Sequence, residues 1–444
     1  MTVIRPNSIS GVSSITGSGG DISIFRADGT PADVTVNNIT SGIITATHYG
    51  SGANLTNLPS AQLTGTIDDA RLSTVSSSKL SGALPALDGS ALTGVGASFG
   101  NSSVNTSGII TATAFVPTAG QLSHRNLIIN GDFQVAQRGS SSTSNGYQTV
   151  DRWAHYTGSS GVTATFSQQS TSSSDTPYQN GFSNFFRTAL SGAGTANAGA
   201  YFELMQTIEA QDIANSGWNF KSSSSYVTVS AWVRSSLAGT YYGWLNSRDG
   251  SGHTYTFSYT LSANTWTKVT KTIPGNSNMT IHNNNEEGLI LHFIPWYGTY
   301  YTTSGHTLNA WQTSSSTNRT PDYSQNWANT SNATFDVTGV QLEVGDSAST
   351  FEFRSEAEEL ERCKRYFQKD LNRRAYWGSG NVGDRQFPVR FGVEMRDTPT
   401  ITFHSTSLDS GSAQAYNKTR QGYNFAMTGS GRFYEWAHTA SAEL

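Results

Sequence analysis

Seven aromatic residues, Trp296, Tyr297, Tyr300, Tyr301, Trp311, Tyr323 and Trp327, crowd one stretch whose remaining positions are largely Gly, Thr, Ser and Asn. Flat rings set among short amides and hydroxyls suit polyhydroxylated ligands: a pyranose stacks its apolar face on a ring while Asn309, Gln312 or Asn326 meets its hydroxyls. The same rings would equally fill an interface between chains or one end of a sandwich. Trp153, Trp232 and Trp266 lie in or beside alternating runs and read as core, whereas Tyr241, Tyr242 and Trp244 fit either set.

Covalent chemistry finds little support. Hydrolysis of a glycosidic bond needs two placed carboxylates, and the candidates Glu203, Glu209, Asp249, Glu286 and Glu287 show no spacing that favours catalysis over solvated loops. The nine histidines form no metal-ligand pattern with each other or with Cys363, the single cysteine. Runs such as Ser222-Ser223-Ser224-Ser225 lack a nucleophile-elbow context. The expectation is a protein that is not an enzyme and needs no cofactor.

In 444 residues only 13% are charged and the net charge is −4, which gives nucleic acid no broad basic surface to meet. No window is long and apolar enough to span a bilayer, and Met1 to Ser8 holds no apolar run of signal-peptide type. One cysteine cannot build an intrachain disulfide framework, so association with other copies is the expected source of extra stability.

The elements that must position the aromatics are β-strands. Up to Gly120 the only aromatics are Phe25, Tyr49, Phe99 and Phe115, too few for an independent core. Ser41-Gly42-Ile43-Ile44-Thr45-Ala46-Thr47 recurs as Ser107-Gly108-Ile109-Ile110-Thr111-Ala112-Thr113, with shorter Leu-x-Gly units between. Small repeats that cannot close a core stack or wind against copies, so a trimeric β-rich shaft over 36–122 is the preferred expectation and a plain flexible linker the alternative. Beyond it, Tyr226 to Val233, Trp266 to Ile273, Leu289 to Ile294 and Phe335 to Val344 read as strands, several of them alternating. The fold class is mainly β, with an antiparallel β-sandwich (jelly-roll) head over 123–354.

One amphipathic helix is expected at 355–374. Ser355-Glu356-Ala357-Glu358 forms a capping box, acids lead and bases trail, and Ala357, Leu360, Cys363, Phe367 and Leu371 make an apolar stripe. Residues 375–444 return to β-prone segments, read as a small C-terminal β domain.

These features together resemble the tail fibres and related virion fibres of tailed phages, particularly those infecting marine bacteria including cyanobacteria. The shaft units at 41–47, 54–59 and 107–113 carry the likeness. So do Asn126 to Phe133, Asp151-Arg152-Trp153, Ser230 to Arg234, Thr265 to Val269, Val340 to Gly345 and Arg362 to Phe367. The head stretches are similar to jelly-roll modules of the family 4/9 carbohydrate-binding type. The resemblance implies a homotrimeric fibre, made in the host cytoplasm and resident in the virion, that attaches through residues 1–35 to tail or capsid proteins. It further implies host recognition and adsorption through a cell-surface glycan, with no nucleic-acid partner and no membrane insertion. A capsid-attached head fibre or decoration protein is the nearest alternative, a polysaccharide depolymerase one of another class, and a secreted bacterial adhesin a third. Many such modules hold a structural calcium through two acids before the last strand. This sequence has Thr338-Gly339 there, leaving Asp132 and Asp336 as possible oxygen ligands, so a bound Ca²⁺ is not favoured.

Overall fold

The computed structural model describes residue 26 and residues 28–31, 124–376, 386–408, 412–427 and 433–444. It divides into two units, Met1–Gly108 and Ile109–Leu444. In the first, the described residues form one tight turn in which Gly29 N donates to Arg26 O at 3.0 Å and the Asp28 carboxylate accepts from Thr30. The expected attachment region at 1–35 otherwise lies outside the described residues, as does the whole of the shaft at 36–122.

In the second unit, twelve antiparallel strands build the head: β1 (Ser141–Ser142), β2 (Ala154–Gly158), β3 (Ala164–Ser170), β4 (Asn184–Leu190), β5 (Tyr201–Glu209), β6 (Tyr226–Ser235), β7 (Gly239–Ser247), β8 (His253–Leu261), β9 (Thr267–Pro274), β10 (Glu287–Tyr297), β11 (Trp311–Thr313) and β12 (Thr334–Val344). They form two six-stranded sheets, ordered β1-β3-β4-β12-β6-β9 and β11-β8-β7-β10-β5-β2. The protein is mainly β and the head is an antiparallel sandwich.

Period-two alternation sets which side chains the sheets bury between them. Val227, Val229, Ala231 and Val233 of β6 meet Phe202 and Leu204 of β5 and Leu291 and Phe293 of β10 in one core. Tyr241 of β7 reaches across to Phe335 of β12, ring centroids 5.5 Å apart. Trp153 is fully buried, as expected. Trp232 and Trp266 are not in this core. With Val229, Ala231 and Val233 turned inward, Trp232 and its cross-strand partner Lys268 fall on the outer face of the first sheet. Trp266 packs on that same face, against Phe185 and the Arg234 guanidinium.

Two short helices, α1 (Thr176–Gln179) and α2 (Ala210–Ala214), interrupt the strands. The helix expected at 355–374 is shorter: α3 spans Glu356–Lys364, and β13 (Phe367–Tyr376) follows. Ser355 Oγ accepts from Glu358 N at 3.3 Å, so the predicted cap forms. Its inward face, however, is Glu359 and Cys363, while Ala357 is exposed. Past Tyr366, pairing of β13 with β18 (Phe433–Ser441) satisfies the backbone along a whole strand, and the bases read as a helix end become strand residues. Arg374, for example, pairs with Glu435 at 3.2 Å.

The remaining strands are β14 (Gln386–Arg390), β15 (Thr400–Leu408), β16 (Ala413–Thr419) and β17 (Gly422–Met427). They complete two three-stranded sheets, β13-β18-β15 and β14-β17-β16, around a second core. There Phe425 and Trp436 stack with centroids 3.9 Å apart. This C-terminal layer thus begins at Phe367, ahead of the expected boundary at 375. Glu443 ties it to the sandwich through Arg152 and through Arg138 at 3.0 Å.

Candidate functional site

The outer face of the second sheet differs between its two halves. On β7, β8 and β10 the outward residues Trp244, Thr256, His292 and Ile294 are nevertheless buried, Thr256 at 0% exposure. Segment 298–326 covers them. Thr256 Oγ1 donates to Arg319 O at 3.0 Å, Asn246 Nδ2 to Ser314 Oγ at 2.7 Å and Tyr242 OH to Asp322 O at 3.3 Å. Such a long excursion carries many backbone polar groups, and these bonds are how it lies down on a sheet face at tolerable cost.

On β2 and β5 the face stays partly open. Tyr156 and Gly158 stand opposite Glu203 and Tyr201, so all four share one side. The Tyr201 ring lies over Gly158, where an added Cβ would approach Cε1 to 2.5 Å. A smaller residue at 158 is therefore a requirement for this ring position. Tyr201 meets Tyr301 edge to face at 5.9 Å, and Tyr301 meets Tyr300 at 5.1 Å. Tyr300 is 57% exposed, and Tyr156, Tyr201 and Tyr301 are half-buried. The result is a strip of tyrosine rings running from the open half of the sheet onto the covering segment.

A charged pair sits under the strip. Arg319 Nη1 lies 3.1 Å from Glu203 Oε1, with the guanidinium 4.8 Å from the Tyr301 ring centroid. Tyr297 OH donates to the same carboxylate. Burial raises the Glu203 pKa, and the Tyr297 hydrogen bond and Arg319 oppose that rise. His292, buried beneath, is pulled down to about 3, chiefly by burial and further by Arg319 and Arg248, and is neutral at pH 7. Trp244 Nε1, His292 Nδ1, Arg319 Nε and Thr320 Oγ1 find no hydrogen-bond partner among the described residues.

Of the seven aromatics put forward from the sequence, four meet here: Tyr297, Tyr300, Tyr301 and Tyr323. Tyr297 is buried and acts on the strip only from below. Trp327 is 0% exposed in the sandwich interior against Phe202, which removes it from any ligand surface. Trp296 packs against the main core, and Trp311 closes the sheet edge on Tyr255 with its Nε1 donating to Pro274 O at 2.6 Å. Tyr156, Tyr201 and Arg319 were not singled out. The alternation Tyr201, Glu203, Met205 was the signal available, because it places three chemically distinct groups on the face opposite Phe202 and Leu204.

The carboxylates considered for catalysis are engaged separately. Glu209 pairs with Arg365 at 2.8 Å, Asp249 lies 3.0 Å from His282 Nδ1, Glu287 pairs with Arg248 at 2.9 Å, and Glu286 accepts from Asn284 Nδ2. Both oxygens of Asp336 are taken by guanidinium groups, Arg187 at 2.8 Å and Arg234 at 2.8 Å. Asp132 lies beside Glu359, and burial raises its pKa to about 6. Among the described residues no group of three or more His, Cys, Asp or Glu is placed to share a metal ion.

No protein-family model matches the sequence, and no curated protein matches it. Similar solved structures include the enzymatically active domain of tailspike protein 4 of bacteriophage CBA120, at 10% identity and TM-score 0.26, covering 50% of this chain and 21% of that one. A CBM4 structure aligns over 49% of this chain and 98% of its own, at 11% identity and TM-score 0.25. The family 11 carbohydrate-binding module of a cellulosomal cellulase of Clostridium thermocellum covers 47% of this chain and 96% of its own, at 12% identity and TM-score 0.23. The chain thus spans about a fifth of that tailspike domain.

Proposed function

We propose that the sandwich is a glycan-binding head whose contact surface is the strip Tyr156, Tyr201, Tyr301 and Tyr300. The observation that carries this reading is the run of half-exposed rings standing beside the Glu203–Arg319 pair. Tyrosine offers a sugar an apolar face and a hydroxyl at once, and the neighbouring carboxylate and guanidinium supply acceptor and donor without further ordering.

In the same reading the chain is a virion fibre of a tailed phage that binds the host surface and carries no covalent chemistry. Repeated Ser-Gly-Ile-Ile-Thr-Ala-Thr units support a shaft assembled from three copies, docked on tail or capsid through the N-terminal region. Three weak sites on one fibre would act together, which raises avidity without new contacts. Purified full-length chain added to host cells before phage should lower adsorption. Release of reducing sugar from host polysaccharide by the same preparation would replace this reading with a depolymerase.

A further inference from the structure

The outer face of the first sheet, on the opposite side of the sandwich from the tyrosine strip, carries a cavity of about 350 Å³. Its floor is set by register: Trp232 stands between Lys268 on β9 and Thr338 on β12, all pointing outward. The bulge after Thr338 places Gly339 at φ +62°, and the Phe182 ring fills the space a Cβ there would need, with Cζ 2.6 Å away. Phe182, Phe351 and Phe353 pack mutually at centroid distances of 4.9, 5.0 and 4.9 Å and wall one side. Phe353 is 50% exposed, an uncommon position for a phenylalanine with nothing against its outer face.

Polar residues line this aromatic wall as well. Among the described residues the exposed Lys268 ammonium makes no ion pair and Trp232 Nε1 donates to no acceptor, and Ser230 lines the same space. Among the described residues no carboxylate lines the cavity. Its volume lies at the small end of ligand sites, enough for one or two sugar rings.

We infer that this cavity is a second site, for an acidic sugar. A pyranose packs on Trp232 and Phe353 while its carboxylate pairs with Lys268. Neutral sugars would leave the ammonium unpaired, and an apolar ligand would leave the Trp232 and Ser230 groups unmet, so the anionic, half-apolar ligand is the one that answers every group present. The inference does not depend on the tyrosine strip.

Titration calorimetry of the full-length chain with trigalacturonate and with its methyl ester tests it. The account expects the acid to bind and the ester to bind about tenfold more weakly, the range of a lost charge-assisted hydrogen bond. Lys268→Gln should lower trigalacturonate binding by the same factor and abolish the discrimination, and Phe353→Ala should weaken acid and ester alike. No binding of trigalacturonate to the wild-type chain, or equal binding by Lys268→Gln, overturns the inference. Loss in Tyr201→Ala with Lys268→Gln unaffected would move the acid to the tyrosine strip, overturning this site while leaving the proposed function standing. Self-association that Phe353→Asp abolishes would assign the cavity to a second copy of the chain and also overturn it.

Discussion

Arg319 Nη1 lies 3.1 Å from Glu203 Oε1, and this contact joins segment 298–326 to the sheet it covers. The Glu203 side chain is 10% exposed and that of Arg319 25%, so the pair is neither dry nor fully screened. Arg319→Met should leave a mostly buried carboxylate with the Tyr297 hydroxyl as its hydrogen-bond donor and no arginine beside it, at a cost of roughly 2–3 kcal/mol, reduced from the fully buried case by the exposure of the arginine. Chemical denaturation read by tryptophan fluorescence checks this. The companion Glu203→Gln should cost less, since it removes a buried charge and keeps an acceptor for Tyr297.

Tyr300 and Trp327 lie near each other in sequence yet have opposite roles. Trp327→Ala should cost about 3–5 kcal/mol, the usual result of emptying a core aromatic site, with no selective effect on ligand binding. Tyr300→Ala, at a 57% exposed position, should shift stability by less than about 0.5 kcal/mol and weaken glycan retention instead. Thermal melts paired with a glycan-binding assay separate the two.

His155 is buried, stacks on Phe166 at 4.0 Å, and its Nε2 lies 2.8 Å from Ser144 O. Burial lowers its pKa from 6.5 to about 4. Folding therefore releases a proton from this ring below the unfolded value: stability at pH 7 is unaffected, and it falls as pH drops from 6.5 toward 4. The slope from this group is on the order of 1.4 kcal/mol per pH unit. Urea midpoints taken across that window should flatten by about this amount in His155→Gln relative to wild type.

Asp151, next to Arg152 in sequence, acts in the opposite sense. Burial raises its pKa to about 7, so the folded state holds a proton that the unfolded chain loses above its ordinary value near 3.8. Its contribution is present in acid and is lost as pH rises through about 7. In Asp151→Asn the decline in stability between pH 4 and 7 should be shallower than in wild type, measured by the same midpoints.

Glu443 closes the contact between the C-terminal sheets and the sandwich. Arg152, 1% exposed and over the Tyr366 ring at 3.4 Å, depends on it for charge compensation. Glu443→Gln should cost about 3 kcal/mol by leaving that guanidinium buried and unpaired. Proteolysis is expected to become faster around Arg396 and Ala442, whose backbone N–H groups donate to Arg365 O and Tyr366 O, read by mass spectrometry.

Most of the sandwich was legible because Val227, Val229, Ala231 and Val233 alternate cleanly and Gly- or Asn-rich turns separate the strands. The phase of that alternation also held the positions of Trp232 and Trp266, but a tryptophan invites a core assignment whichever way its strand faces. The end of α3 was illegible for another reason. Phe367 to Tyr376 has charge and apolar spacing compatible with a helix, and only its pairing with β18, far along the chain, decides for a strand. The site was half legible. A cluster of rings in one segment announces a surface, whereas Tyr156 and Tyr201 join it through strand register, and Trp327 leaves it because segment 298–326 ends by diving into the core.

The most direct test of the glycan-binding head is retention of the full-length chain on an array of bacterial surface glycans, wild type against a Tyr201→Ala, Tyr300→Ala double variant. The account predicts a defined set of retained glycans, a loss of about tenfold or more in the double variant from two missing ring contacts, and matching thermal melts. A wild-type chain that retains no glycan, or a double variant that retains the same set equally well, would contradict it.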